Sequence, residues 1–278
     1  MERRKVLKIA AGAVAAGGSG LVAMTTAFKP EVKAAEKPKN IEFKANESDW
    51  KYVPLEPATT AEIAYAEYPN GSCMYGVFKS VVSQLAAIVG EPFASFPSQM
   101  MKYGHGGVNG YGTICGALNG AAAAVSLLVG DKKNCDVLMA ELFAAYETTP
   151  LPEFKPKDPG MDFEPPKSVA KSVLCHASTT RWGKKAGYTI SSKERKERCR
   201  RLTADIAFKV VTILNNYHAN TFMANAHDNE TARTCMTCHG SEGKLGNTSG
   251  KMTCTSCHEE SLAHKVFADS HHKFMSKR

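Results

Sequence analysis

Near the C-terminal end the sequence reads Cys235-Met-Thr-Cys238-His239 and then Cys254-Thr-Ser-Cys257-His258, so C-x-x-C-H occurs twice with fourteen residues between. Two thiols one helical turn apart reach the two vinyl groups of a single porphyrin, and the adjacent imidazole then meets the iron. This spacing is therefore the attachment signature of a c-type haem. On that reading Cys235, Cys238, Cys254 and Cys257 form the thioether links, and His239 and His258 are the proximal iron ligands. The competing chemistry is a zinc ribbon, because the same four cysteines also read C-x2-C-x15-C-x2-C. A ribbon has no use for a histidine directly after each second cysteine, whereas covalent haem requires one.

Gly240, Gly243, Gly246 and Gly250 fall in the short stretch between the motifs, so the two macrocycles are expected close together. Sixth ligands are open among His218, His227, His264, His271 and His272. His264 follows His258 by six residues, which is about 9 Å if helical and about 20 Å if extended. Reaching the far face of the same macrocycle would mean wrapping its edge, so His264 is expected to serve another haem, in this chain or a second subunit. The haem segment is accordingly predicted to lie at an oligomer interface.

The opposite end carries Arg3-Arg4-Lys5-Val6-Leu7-Lys8, which resembles a twin-arginine export signal, followed by an Ala- and Gly-rich apolar run and Val32-Lys33-Ala34, an A-x-A-like cleavage site. The alternative is a membrane anchor, since the Ile9–Phe28 run could just span a bilayer. With cleavage near Ala35 the expected location is the periplasm, with no stable membrane span. The formal charge of +8 is no argument for nucleic acid, because residues 1–34 account for half of it and two haems add ionisable propionates. Covalent haem attachment is completed outside the cytoplasm and does not itself need a route for folded proteins. A twin-arginine signal hints at another cofactor, for which Cys73, Cys115, Cys135, Cys175 and Cys199 remain.

With 43% hydrophobic residues the chain can bury a sizeable core. The expected class is mainly α: a signal over 1–34, a polar leader over 35–71, a helical cysteine-containing domain over 72–228 and a small dihaem segment over 229–278. From Ser72, the residues Cys73, Val77, Phe78, Val81, Leu85 and Ile88 recur at helical spacing, placing Cys73 in a first turn where the helix dipole favours a thiolate. The Gly104–Gly112 segment does not fit G-x-G-x-x-G, and its glycines suit close approach of backbone amides to a buried anion. His105 within it reads as a supporting residue rather than a ligand. Thr113 is expected to cap an all-round apolar helix from Ile114 to Val129, with Cys115 at its start. Cys135 continues the apolar stripe of the next helix and reads as a packed thiol. A proline-punctuated connection over 150–166 leads to a helix predicted over Ser168–Trp182 that contains Cys175. Ser191 and Glu194 make a capping box for a long helix ending near His218, in which Cys199 lies amid Arg195, Arg198, Arg200 and Arg201.

The paired haem motifs after these elements, together with Cys73, Cys115-Gly-Ala-Leu-Asn-Gly120, Ser172-Val-Leu-Cys175-His176 and Arg198-Cys199-Arg-Arg-Leu-Thr-Ala-Asp205, resemble the split-Soret cytochromes c. The cysteine-bearing half also resembles a broader family of helical proteins with a C-G-A-x-x-G motif. The first resemblance implies a homodimer with two bis-histidinyl haems c per subunit, stacked edge over edge, one axial histidine exchanged between subunits, and an iron–sulfur centre, expected as 2Fe–2S, in the helical half. Carried over by residue, Cys73, Cys115, Cys175 and Cys199 hold the cluster and His239 and His258 the haems. The family places a cysteine after the tryptophan; here Gly183 follows Trp182. His218 and His264 are the distal ligands suggested by periodicity and reach.

Electron transfer between redox partner proteins is the function these features favour, since six-coordinate irons bind no substrate. The rival is a small redox enzyme that reduces a small molecule at an open haem or iron–sulfur position. A zinc-binding interaction module is the third, non-redox class.

Overall fold

The computed structural model describes residues 50–224 and 230–256. The expectations for the export signal, for Cys257 and His258, and for His227, His264, His271 and His272 fall outside these residues. The described chain forms six α-helices: α1 Pro57–Val89, α2 Gly116–Val129, α3 Lys132–Thr148, α4 Cys175–Ala186, α5 Lys193–His218 and α6 Glu230–His239. Single 3-10 segments occur at Ser98–Gly104 and Cys254–Ser256. Among the described residues the only sheet is the antiparallel pair β1 Pro150–Leu151 and β2 Ser168–Val169, with Pro150 opposite Val169. The expected mainly-α class is the class observed.

Helix α1 begins where the sequence reading placed a polar leader. Glu56 caps it, its carboxylate accepting from Ala58 N at 3.2 Å, and Pro57 stands at the start, where its missing N–H costs nothing. Ala61, Ala64 and Tyr65 of this first half are buried. The helix then breaks at Ser72, whose backbone lies at φ 65° and ψ −161°, three residues after Pro69. Two shorter helices therefore meet at an angle, and Cys73 opens the second. By length and composition α1 could cross a membrane, but 56% of its apolar window is buried inside the protein.

The core forms where the second half of α1 packs on α5 and α2. Val77, Phe78, Val81, Val82 and Leu85 meet Leu202, Ile206, Val210, Val211 and Leu214 of α5, and Ala117, Leu118, Ala121, Ala124 and Val125 of α2. Each such fully buried Val, Leu, Ile or Phe side chain contributes roughly 1.5–3 kcal/mol of burial free energy. The small residues let α1 and α2 come close: a Cβ at Gly120 would lie 2.5 Å from the carbonyl oxygen of Met74. Leu138, Leu142 and Tyr146 of α3 close one side.

Local capping chemistry sets the remaining ends. Asp131 accepts from Asn134 N at 2.9 Å to start α3, and Ser192, one residue beyond the expected Ser191, accepts from Arg195 N at 3.1 Å to start α5. The helix predicted over Ser168–Trp182 is displaced: its first residues form β2 and a turn with Lys171 at φ 52°, and α4 begins only at Cys175. Pairing with the strand at Pro150–Leu151 captures these residues before a helix can start. The proline-rich connection is tied to α5, since Glu153 N and Phe154 N donate to Asp205 and Arg201 holds Glu164 and the carbonyl of Phe163.

Candidate metal centre

Four elements bring four cysteines to one place. Cys73 opens the second half of α1, Cys115 is the N-cap of α2, Cys175 is the first residue of α4, and Cys199 lies in the second turn of α5. Cys73, Cys115 and Cys199 are 7%, 3% and 4% exposed, and Cys175 is half-buried. Backbone pairing fixes two of them: Ile114 and Leu174 form an antiparallel bridge, Cys115 N donates to Val173 O at 2.8 Å, and Cys175 N donates to Thr113 O at 2.7 Å. Thr113 does not cap α2; its hydroxyl accepts from Val108 N at 3.0 Å and stitches the glycine-rich loop closed. Gly116 must lack a side chain, because a Cβ there would run into the carbonyl of Gly104 and lie 3.1 Å from Cβ of Cys73.

Cys73, Cys175 and Cys199 line a cavity of about 670 Å³ that also receives His105, His176, Tyr111, Arg195 and Lys196. Burial pushes the Cys73 thiol well up, and nearness to Cys199, Cys115 and Cys175 pushes it further. The same two causes push Cys175 up to about 12, against the opposing pull of Arg198 and Arg195. Burial also raises Cys115. The expectation that a helix terminus favours the Cys73 thiolate is thus overridden by desolvation. The protein alone holds this thiol neutral, and a bound cation is what would draw its proton off.

Beside the thiols lies a buried cation. Arg198 is 1% exposed; its Nη2 donates to Ser178 Oγ at 2.9 Å and its Nη1 lies 3.9 Å from Cys199 Sγ. No carboxylate pairs with it among the described residues, and its Nε finds no acceptor. Burial disfavours its charge, yet Cys199, Tyr146 and Cys115 together hold the guanidinium above its ordinary range. Tyr146, also 1% exposed, places its hydroxyl near Cys115 and Ser178 but at hydrogen-bonding geometry with neither. Four thiols with a buried positive charge and two unsatisfied donors suit a negatively charged, sulfur-ligated iron group. Among the described residues no three His, Cys, Asp or Glu side chains converge as they would around one small ion, and a polynuclear centre spreads its ligands more widely.

The other predicted residues fall elsewhere. Cys135 is a half-buried packed thiol on α3, 3.8 Å from the carbonyl oxygen of Val125. Gly183 is buried on α4, where a Cβ would sit 3.0 Å from the Tyr188 carbonyl oxygen and 3.1 Å from Ile190 Cδ1, a tight fit that a larger side chain would relieve only by shifting these neighbours by a few tenths of an ångström. His218 ends α5 exposed, its ring stacked on Tyr52 at 4.7 Å and edge-on to Tyr217 at 5.1 Å. In the segment that bears the C-x-x-C-H motifs, Cys235, Cys238 and His239 occupy α6, and His239 Nδ1 lies 3.0 Å from Asn247 Oδ1. Cys254 of the second motif sits beside Cys235 of the first, and no described cysteine is in a disulfide. The segment docks on α3, with Thr253 Oγ1 donating to Glu147 at 3.1 Å. Sequence reasoning missed His176 and Tyr146 as site residues. His176 merely follows a cysteine, and Tyr146 reads as one more apolar stripe position.

Residues 75–213 match the family model described as "Putative redox-active protein (C_GCAxxG_C_C)". The matched span includes Cys115-Gly-Ala-Leu-Asn-Gly120, Cys175 and Cys199. Split-Soret cytochrome c from Desulfovibrio desulfuricans is 38% identical over 221 residues, 77% of this chain and 79% of the relative. A solved structure described as a novel iron centre in the split-Soret cytochrome c of the same organism superposes with a TM-score of 0.73 at 36% identity, covering 80% of this chain and 95% of that one. By fold, by motif and by this identity, the chain belongs to the split-Soret cytochrome c family.

Proposed function

We propose that this electron-transfer cytochrome carries two haems c per subunit at the C-x-x-C-H motifs, plus an iron–sulfur centre, read as 2Fe–2S, held by Cys73, Cys115, Cys175 and Cys199. It works as a homodimer in the periplasm, exported by the twin-arginine route, and exchanges electrons with redox partner proteins. The observation that carries the reading is the gathering of four cysteines from four elements, three of them, Cys115, Cys175 and Cys199, beside the buried Arg198, in a chain that also bears two C-x-x-C-H motifs. The iron groups supply one-electron chemistry; the protein supplies position and charge. His239 and His258 are the proximal haem ligands, and His218 and His264 the distal candidates. The solved relative, described as holding a novel iron centre, supports an iron centre in this chain as well.

Protein matured in a host competent for both cofactors is the test. Covalent haem quantified as the pyridine complex, with total iron and acid-labile sulfide, should give two haems per chain and additional iron matched by sulfide. Complete loss of colour into acidified organic solvent would overturn the haem assignment. The cavity lined by His105, His176, Arg195 and Lys196 favours a second reading, a reductase acting on a small molecule at an incompletely ligated iron. Cyanide or carbon monoxide should leave the spectrum of a pure carrier unchanged and shift that of a reductase.

A further inference from the structure

Two donors beside Cys115, Tyr146 Oη and Arg198 Nε, have no acceptor at hydrogen-bonding geometry among the described residues, and both residues are 1% exposed. Such groups are scarce, because a buried donor without a partner loses its hydration and gains nothing. Arg198 is the sharper case. Its charge is buried without a carboxylate, while the nearby Arg201 pairs with Glu197 at 2.8 Å and Glu164 at 2.7 Å. The fold therefore had carboxylates within reach of α5 and spent none on Arg198. What surrounds Arg198 instead is sulfur: Cys199 directly, with Cys115 and Cys175 close enough to act on its charge or be acted on by it.

Resting on the iron–sulfur reading above, we infer that Tyr146 and Arg198 donate hydrogen bonds to the sulfur atoms of that centre and hold its reduction potential up. A one-electron reduction adds negative charge to the centre, and donors or cations aimed at its sulfurs stabilise the reduced form more than the oxidised one. Ser178 completes the arrangement by holding the far edge of the guanidinium through Nη2 at 2.9 Å. These are positioning and tuning groups; the thiols remain the ligands.

The test uses full-length protein loaded with its cofactors. Tyr146→Phe should shift the centre's reduction equilibrium about tenfold toward the oxidised form, about 59 mV for a one-electron couple, with iron and sulfide content and both haem potentials unchanged. Arg198→Gln should shift it in the same direction, and Arg198→Lys, which keeps the charge but loses Nε, should recover part of the effect. In protein stripped of the non-haem iron, Tyr146→Phe should melt at the same temperature as wild type or higher, which a merely structural hydroxyl would not allow. An unchanged potential in a fully loaded Tyr146→Phe protein overturns the inference even if Arg198 variants fail to fold. Wild-type protein with no iron beyond its haems overturns instead the reading on which the inference rests.

Discussion

Asp205 shows how one buried carboxylate couples the long connection to α5. It is 7% exposed and accepts from Glu153 N at 3.0 Å and Phe154 N at 2.8 Å. Burial outweighs these two bonds and pushes its pKa up from 3.8 to about 6. Between about pH 4 and pH 6 the folded protein therefore keeps a proton that the unfolded chain has released, so this group's contribution to stability falls as pH rises through that window and is level above it. The loss amounts to about 3 kcal/mol at 1.36 kcal/mol per pH unit. Urea unfolding at intervals from pH 4 to pH 7 should reveal it, and Asp205→Asn should flatten that part of the profile. Gly116 makes a second case: Gly116→Ala drives a methyl into the Gly104 carbonyl and should cost about 3 kcal/mol or more, read as a fall in Tm. Position 116 was legible from sequence only as part of a motif. Its reason, the backbone oxygen of Gly104 twelve residues upstream, depends on contacts that no local pattern encodes.

Among the elements, α1 has the feature with most bearing on the site. Its break at Ser72 puts a serine at a backbone conformation that glycine tolerates far better, φ 65° with ψ −161°, and such residues cost on the order of 1–3 kcal/mol. Ser72→Gly should consequently raise stability by about 1 kcal/mol after the added freedom of the unfolded chain is offset, a rise in Tm that calorimetry can follow. The sequence pattern located the restart well, because the stripe from Cys73 to Leu85 is regular and strongly apolar. It concealed the half before the break: Pro54, Pro57 and Pro69 look like punctuation, and the buried face there is made of alanines and Tyr65 rather than large aliphatic residues. The segment from Ser168 failed for the opposite reason. Its helical periodicity is real, but a distant strand at Pro150–Leu151 claims its first residues. The cysteines were legible as a set by their chemistry, while Arg198 could not be separated from Arg195, Arg200 and Arg201 in the same run: Arg201 is buried too but is paired with Glu197 and Glu164, and only the folded structure shows Arg198 buried among thiols instead.

Across the whole molecule, the haem segment meets the helical body through α3. Thr253 Oγ1 donates to both oxygens of half-buried Glu147, at 3.1 and 3.2 Å, and Lys251 approaches Asp136 at 4.0 Å. The exposed pair contributes little, whereas the Glu147 contact is worth about 1–2 kcal/mol as a charged hydrogen bond. Glu147→Ala should loosen this docking: amide exchange should speed up across 230–256 while α1, α2 and α5 keep their protection. Equal protection in both proteins would mean that other contacts hold the segment. The bridge between Ile114 and Leu174 carries a different implication. Main-chain pairing sets Cys115 beside Cys175, so on the iron–sulfur reading proposed above the receptacle is shaped by the polypeptide itself. Loading would then follow folding rather than drive it, which leaves the order of assembly to whatever delivers the metal.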